Sequence, residues 1–301
     1  MLIQTVEDYI NVRRAVGFKF ECQARFLHNF ASFAEARDEH HVRSITAIEW
    51  AGMAAKVPQR AHRLWVVTRF ARHAHSDDPR HEIPPPAFGS ENWPRRTPYI
   101  LSQDEIARLM QEAARFGTRP MQGATYSTLF GLLACTGLRI SEALRLRYAD
   151  ITPDGLLIRN TKFRKSRLVA LHDSARAALE RYLSRRRAFA PLDDHVFISL
   201  RGTPLIQTNV DNIFRELVKR IGLPLGPDLP RITPHSLRHT FAVRALQTCP
   251  DGRERIARHM VALSTYLGHV DAVATYWYLE ATPELMQDIA ACCVKFVEGA
   301  S

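Results

Sequence analysis

Two basic side chains in the second half of the chain are spaced as in an anion-binding site. His235 and Arg238 are three residues apart in "TPHSLRHTFAVRAL", so a helix places both on one face. Thr233 is a suitable N-cap residue and Pro234 a suitable first helical residue, which predicts that the pair lies in the first turn. Free N–H groups and the helix dipole favour an anion there. The stretch therefore predicts a site for an anion.

A third basic side chain, Arg139, follows a predicted turn at Gly137 in "TGLRISEAL". It enters the next predicted helix, and Glu142 lies three residues further on. Lysine and arginine together number 41, and only six of these are lysine, so single arginines are abundant. Neither this arrangement nor an H-x-x-R pair identifies a reaction by itself. Chemistry can be assigned only from several such stretches in combination.

Two tyrosines, Tyr276 and Tyr278, flank Trp277 in "TYWYLEATPEL". A phenol titrates near pKa ~10, so it acts as a nucleophile only with help from cations and acid or base groups elsewhere. On a helix the two tyrosines lie about 200° apart, on opposite edges of an apolar side that includes Trp277. A single helix then presents only one of them to a phosphate. Periodicity leaves open which one, or whether both rings only pack.

The order of these stretches is more specific than any one of them. "TGLRISEAL", a lysine in a β-turn, "HSLRHTFA", "LGH", and a tyrosine nine residues after that histidine resemble the tyrosine recombinase (phage integrase) family. The resemblance spans essentially the whole second domain, and the helical first domain resembles the family's core-binding domain. The "TYWYLEATPEL" ending is most similar to integrases of transposons and other mobile elements.

The resemblance implies that Arg139 and Arg238 clamp the scissile phosphate, and that Glu142 orients Arg139. The physical chemistry suits these residue types. In-line displacement at a phosphodiester places negative charge on non-bridging oxygens, which two guanidinium groups can neutralise through paired hydrogen bonds.

The resemblance also assigns the remaining site residues. Lys162, in the turn "TKFRK", matches the general acid for the leaving 5′ oxygen, with Lys165 in the same turn as the alternative. His235 and His269 match the two histidine positions. The residue nine positions after His269 is Tyr278, which becomes the nucleophile and leaves Tyr276 as a packing residue.

No cofactor or metal is expected. A phosphotyrosyl link conserves the energy of the broken bond, so strands can be rejoined without ATP or a metal ion. The sequence contains no P-loop. Its thirteen histidines include "DEHHVR" and the run His73, His75 and His81, but none has H-E-x-x-H spacing and no cysteines lie nearby.

Composition points to a polyanionic partner. The net charge is +10 and the isoelectric point is near 9.7, with 46% hydrophobic and 24% charged residues. Arginine richness can also reflect genomic base composition, but the net charge favours a polyanionic partner. The family resemblance implies that this partner is double-stranded DNA. Five cysteines without C-x-x-C spacing indicate free thiols in a reducing compartment. With no signal peptide and no apolar run long enough for a membrane span, we expect a cytoplasmic, nucleoid-associated bacterial protein.

The chain is long enough for two domains. We predict a helical core-binding domain at 1–83, a proline-rich linker at 84–100 and a catalytic domain at 101–301. The expected fold class is mainly α with a small β-sheet, the catalytic domain being mixed α+β. Predicted strands are "GLLIRN", "SRLVAL" and "HVFIS". Thr46 with Glu49, and Ser102 with Glu105, are predicted capping boxes.

The predicted function is a site-specific DNA recombinase or integrase of a mobile element that acts through a 3′-phosphotyrosine. The family resemblance implies a homo-tetramer on paired DNA sites, with other recombinases as further partners. Chromosome-dimer resolution is an alternative within the same chemistry. An accessory DNA-binding protein that assists a partner recombinase is an alternative of another class. We predict that the C-terminal "PELMQDIAACCVKFVEGA" forms a helix that docks either on its own domain or on a neighbouring protomer.

Overall fold

The computed structural model describes residues 1–89, 97–159, 166–188, 194–226, 229–248 and 253–268, together with Thr275 and Tyr278. The chain divides into two compact units, Met1–Arg95 and Arg96–Ser301. Both are largely helical, and the second also contains a small antiparallel sheet, which confirms the expected fold class. In the described part, none of the helices has both the length and the apolar composition that a membrane span requires.

Within residues 1–89, the first unit forms four helices around one core. They are α1 (Leu2–Ala15), α2 (Glu21–Glu35), α3 (Ser44–Gly52) and α4 (Val57–Asp77). The apolar stripe of "ARFLHNFASFAEA" faces this core from α2, where Phe30 is fully buried and Phe26 and Phe33 are half-buried. The Phe30 ring meets Trp50 edge to face at 5.6 Å between centroids. The helical spacing of these phenylalanines thus correctly predicts a helix with one apolar face.

The predicted capping box of Thr46 and Glu49 is wrong. Helix α3 begins at Ser44, and its N-cap residue is Arg43, so Thr46 lies inside the helix with its side chain buried. The carboxylate of Glu82 accepts the Ser44 N–H at 2.8 Å and a hydrogen bond from the Arg43 side chain at 3.0 Å. The capping group therefore comes from 38 residues further along the chain, which a local sequence pattern cannot reveal.

The second unit surrounds helix α6 and carries a three-stranded sheet. Its described elements are α5 (Gln103–Ala114), α6 (Pro120–Thr136), α7 (Ile140–Ala143), a 3-10 turn (Tyr148–Asp150), β1 (Ile151–Thr152), β2 (Gly155–Ile158), β3 (Arg167–Val169), α8 (Asp173–Arg187), α9 (Gln207–Arg220), α10 (Pro234–Gln247) and α11 (Arg253–Leu267). Helix α6 packs against α5, α8 and α10, because it is apolar on nearly every side. The strands are antiparallel in the order β1-β2-β3, with Leu156 opposite Val169.

The predicted strand "HVFIS" does not form a ladder. Only isolated bridges occur there, one of them between Arg147 and His195. Side chains of α8 donate hydrogen bonds to carbonyl groups that a neighbouring strand would otherwise bind. Arg186 donates to His195 O at 2.6 Å, and the Tyr182 hydroxyl donates to Val196 O at 3.1 Å. The segment is buried at Val196, Phe197 and Ile198, but side chains of α8 occupy carbonyl groups that a strand ladder would use.

Two predicted helix starts in the second unit are confirmed. The Ser102 hydroxyl accepts the Glu105 N–H at 3.1 Å, and the Glu105 carboxylate accepts the Ser102 N–H at 2.7 Å. Helix α10 has Thr233 as its N-cap residue and Pro234 as its first residue. The Thr233 N–H donates to the Ser236 hydroxyl at 3.1 Å. These caps fix where α5 and α10 begin, and α10 carries part of the site described below.

A cluster in the first unit brings together groups that are far apart in sequence. Potential ligand atoms of His41, Asp78 and His81 all lie within 4.8 Å of one another. His81 Nδ1 accepts the Val42 N–H at 3.1 Å, and the Asp78 carboxylate pairs with Arg80 at 2.7 Å and with His41 at 3.3 Å. The lone pair of His81 Nδ1 is therefore taken by the main chain. Burial, followed by the charge of His41, lowers the pKa of His81.

We expect the free energy of unfolding to fall as the pH drops below about 6.5, in part through His81. An unfolded His81 takes up a proton there, whereas folded His81 resists it because its pKa is lowered, so acid favours the unfolded chain. The variant His81→Gln keeps an acceptor for the Val42 N–H but cannot titrate. Urea unfolding between about pH 7.5 and 5 should show a smaller loss of stability in the variant. Equal losses would rule out this role of His81.

Candidate active site

Three arginines from three different elements converge on the end of one helix. The carbonyl groups of Tyr266, Leu267 and Gly268, here called the α11 C-terminus, accept their hydrogen bonds. The pairs are Arg167 Nε to Tyr266 O at 2.8 Å, Arg238 Nη2 to Leu267 O at 2.9 Å, and Arg139 Nη2 to Gly268 O at 3.0 Å. The last carbonyls of a helix lack partners within it and form the negative end of its dipole, so cations are favoured there. The contacts place Arg139 beside Arg238.

Glu142 is the carboxylate that balances this positive charge. It is 5% exposed and accepts the Arg139 N–H at 3.1 Å and Arg139 Nη1 at 2.9 Å. Arg167 binds both of its oxygens, Nη1 at 3.1 Å and Nη2 at 2.8 Å. Burial by itself raises the pKa of Glu142, but the hydrogen bonds and charge of Arg167, and then those of Arg139, outweigh it and lower the pKa to about 2. Glu142 is therefore ionised at neutral pH.

Arg238 is the most buried of the three arginines, at 1% exposure. Besides Leu267 O, it donates to Gly137 O at 2.6 Å. Burial and then the charge of Arg139 lower the pKa of Arg238 to about 10, so it still carries its charge at neutral pH. Gly137 ends α6 at φ 62°, and an added Cβ there would lie 2.5 Å from the Phe241 ring. Only glycine fits this turn, which leads the chain from α6 to Arg139.

The two histidines of "HSLRHTFA" stand side by side on α10. The ring of His235 meets the ring of His239 edge to face at 4.4 Å between centroids. Part of the His235 side chain is exposed, yet the protein around its ring, and then the charges of Arg238 and Arg139, lower the pKa of His235 to about 4. His235 is thus a neutral hydrogen-bonding group at physiological pH.

Tyr278 lies in the same part of the unit and is 3% exposed. Its ring packs with apolar side chains of α10 and α11, among them Val243 and Leu263. Its hydroxyl oxygen is 3.2 Å from His239 Nδ1. The described residues therefore group Arg139, Arg238, His235 and Tyr278 around the α11 C-terminus and α10.

Other site residues expected from the sequence lie outside the described residues. These are Lys162, its alternative Lys165, His269, and Tyr276 as the alternative to Tyr278. The strands before and after these lysines are present as β2 and β3, paired from Leu156↔Val169 to Ile158↔Arg167. The choice of Lys162 as acid therefore stays a prediction.

Sequence reasoning missed two residues of this group. His239 contacts Tyr278, and its signal was available, because it lies four residues after His235 and hence on the same helical face. Arg167 carried no such signal, because its partner Glu142 is 25 residues away and its other partner, Tyr266, is 99 residues away. The contacts of Arg167 can be recognised only in the folded structure, where β3 lies beside the end of α11.

Comparisons with known proteins agree on one family. The sequence profile described as "Phage integrase family" matches residues 100–284. A Sinorhizobium fredii protein named "Putative integrase/recombinase y4rB" is 38% identical, over 95% of this chain and 94% of the relative.

Two solved structures have the same fold. The XerH site-specific recombinase bound to a palindromic difH substrate matches with a TM-score of 0.68 and 17% identity, over 89% of this chain and 78% of that one. The Tn1549 transposon integrase in complex with transposon right end DNA matches with a TM-score of 0.65 and 17% identity, over 95% of this chain and 99% of that one.

We expect Glu142→Gln to destabilise the fold by roughly 3 kcal/mol, because it leaves buried guanidinium groups without their counter-charge. The matched control is Glu112→Gln. Glu112 pairs with Arg220 at 3.2 Å on a more exposed surface, so its loss should cost less than about 1 kcal/mol. Urea unfolding at neutral pH measures both. Equal effects would show that the Glu142 cluster contributes no more than a surface ion pair.

Proposed function

Because the chain belongs to the phage integrase family of tyrosine recombinases, we propose that it is a site-specific DNA recombinase that cuts and rejoins strands through a 3′-phosphotyrosyl intermediate. The observation that carries the proposal is that Arg139 and Arg238 both bind the α11 C-terminus, while Tyr278 packs against α10 and α11. The family catalyses DNA strand cleavage and rejoining.

In this proposal, Arg139 and Arg238 bind the non-bridging oxygens of the scissile phosphate. Arg139 keeps 31% of its side chain exposed and is the more accessible of the two. Neutral His235 adds a hydrogen bond to the same phosphate. The Tyr278 oxygen attacks phosphorus and gives its phenolic proton to neutral His235. The bond to the 5′ oxygen breaks, and Lys162 supplies the proton that the 5′ oxygen takes up. His269 completes the group as a further hydrogen-bond donor.

The buried position of Tyr278 sets one requirement. A side chain that is 3% exposed cannot meet a phosphate on a DNA surface, so the Tyr278 ring has to leave its place between α10 and α11 when DNA is bound. Arg238, at 1% exposure, likewise has to become accessible before it can bind the phosphate. Attack on the phosphotyrosyl bond by a 5′ hydroxyl reverses the first step, and the stored bond energy makes ATP unnecessary. With guanidinium groups neutralising the phosphate, no metal is required.

Duplex DNA is the proposed partner of both units. In the first unit, taken as a core-binding domain at 1–83, Arg63 lies over the Trp50 ring at 5.3 Å and Arg69 over Trp65 at 4.8 Å. Rigid guanidinium groups of this kind suit phosphate contacts. Residues 84–100 then form the linker, and 101–301 the catalytic domain. The DNA-bound XerH and Tn1549 proteins support this assignment.

The biological setting proposed is integration or transposition of a mobile element, with a homo-tetramer acting on paired DNA sites in the bacterial cytoplasm. The likeness to the Tn1549 transposon integrase supports it. Chromosome-dimer resolution uses the same chemistry and would be recognised by its DNA site. An accessory protein that never cuts has no need for two arginines and a tyrosine in one place, which disfavours that alternative.

The choice of nucleophile is tested on a nicked DNA substrate that traps the covalent intermediate. In excess EDTA, the wild-type protein and Tyr276→Phe should form a covalent protein–DNA adduct, and Tyr278→Phe should form none. Adduct formation by Tyr278→Phe but not by Tyr276→Phe would move the nucleophile by two residues. Loss of the wild-type adduct on adding EDTA would contradict the metal-free mechanism.

The phosphate clamp is tested by Arg139→Ala and Arg238→Ala. Removing one transition-state donor typically costs about 10²–10³ in rate, so each variant should form adduct at least roughly a hundredfold more slowly. Duplex affinity should change little, because the many other arginines supply ground-state binding. Near-wild-type cleavage by either variant would remove that arginine from the site.

A further inference from the structure

We propose that Arg167 is a positioning residue for strand cleavage, holding Arg139 in place through Glu142 and the α11 C-terminus. The proposal rests on the function proposed above, in which Arg139 binds the scissile phosphate. Arg167 itself touches neither the nucleophile nor, in this proposal, the DNA.

The contacts of Arg167 join three parts of the unit. Arg167 is the first residue of β3, where it pairs with Ile158 of β2. Its Nε donates to Tyr266 O at 2.8 Å, and both of its terminal nitrogens bind Glu142, at 3.1 Å and 2.8 Å. Its side chain is only 11% exposed. One planar group therefore fixes the sheet, α7 and the α11 C-terminus relative to one another.

The fit around Arg167 leaves little room for adjustment. Gly268 adopts φ 66°, and a Cβ added there would lie 2.8 Å from Arg167 Nη1 and 3.0 Å from its Cζ. Absence of a side chain at Gly268 thus lets the guanidinium lie against the backbone that follows α11. A lysine has one nitrogen and cannot bind two carboxylate oxygens and a carbonyl in this fixed fork geometry.

Glu142 transmits the effect to Arg139. The same carboxylate accepts from Arg139 Nη1 at 2.9 Å and from Arg167. With Arg167 present, the carboxylate oxygens are shared between two cations, and Arg139 can also donate to Gly268 O at 3.0 Å. Without Arg167, Arg139 is the remaining described partner of the buried Glu142 carboxylate. More of the Arg139 N–H groups are then drawn to Glu142, and fewer can reach a phosphate. The cost falls on the transition state, where Arg139 is needed most.

The test is a double-variant cycle in single-turnover cleavage of the nicked substrate. We use Arg167→Gln, Arg139→Lys, and the two together, with DNA affinity measured in parallel. Arg167→Gln should cleave roughly a hundredfold more slowly with nearly unchanged affinity. If Arg167 acts through Arg139, the double variant should be no slower than the slower single variant. If the loss of cleavage rate in the double variant equals the product of the two single losses, the proposal is overturned.

Matched variants separate positioning from folding. Arg167→Lys keeps the charge beside Glu142, so it should fold and still lose about tenfold in cleavage rate; if Arg167→Gln does not fold, the cycle is run with this variant. The control is Arg176→Gln, because Arg176 also donates to main-chain carbonyls near the sheet, at 3.1 Å to Thr152 O and 2.6 Å to Pro153 O. Its cleavage rate should equal wild type. A wild-type protein that forms no adduct would refute the proposed function instead.

Discussion

The carbonyl groups at the end of α11, which have no partners within the helix, are the constraint around which the candidate site is organised. A buried helix end needs hydrogen-bond donors, because its last carbonyls have no partners within the helix. Here the donors are guanidinium groups from β3, from the turn after α6, and from α10. An arginine carries five N–H donors, so it can hold a carbonyl and still present others elsewhere. The fold and the proposed phosphate site therefore depend on the same side chains.

Electrostatics explains why Glu142 belongs to this arrangement. Three guanidinium groups close together in a buried place repel one another, and the lowered pKa of Arg238 reflects that repulsion together with burial. One carboxylate, ionised and hydrogen-bonded to two of them, reduces the repulsion without cancelling it. The group stays net positive. A net positive charge attracts a phosphate, and the hydrogen bonds hold the guanidinium groups close together before the ligand arrives.

Much of this arrangement can be predicted from the sequence, and the exceptions have a common cause. Helix starts at Ser102 and Thr233 follow from local capping patterns, and the Gly137 turn from one glycine. Local patterns fail where the partner is remote. Glu82 caps α3 in place of Thr46, and Arg186 satisfies carbonyls that a strand would have paired.

The same division holds within the site. The order of the motifs predicts Arg139, Arg238 and Tyr278 as site residues, because the family resemblance assigns roles by residue type and spacing. Arg167 cannot be predicted in this way, because it binds other groups of the protein that lie 25 and 99 residues away in the sequence. His239 is intermediate: helical spacing relative to His235 pointed to it, but only the contact with Tyr278 gives that spacing a meaning.

The proposed phosphate-binding arginines and the proposed nucleophile differ in how they are held before DNA binds. The arginines are fixed by buried hydrogen bonds, whereas Tyr278 packs its ring among apolar side chains with its hydroxyl on His239. Burying a tyrosine ring is favourable, so moving it to a phosphate costs free energy that contacts with DNA have to supply. For a recombinase this order of events is useful. In the proposed mechanism, phosphate binding can precede cleavage, and a strand is cut only where the bound DNA also stabilises the displaced tyrosine.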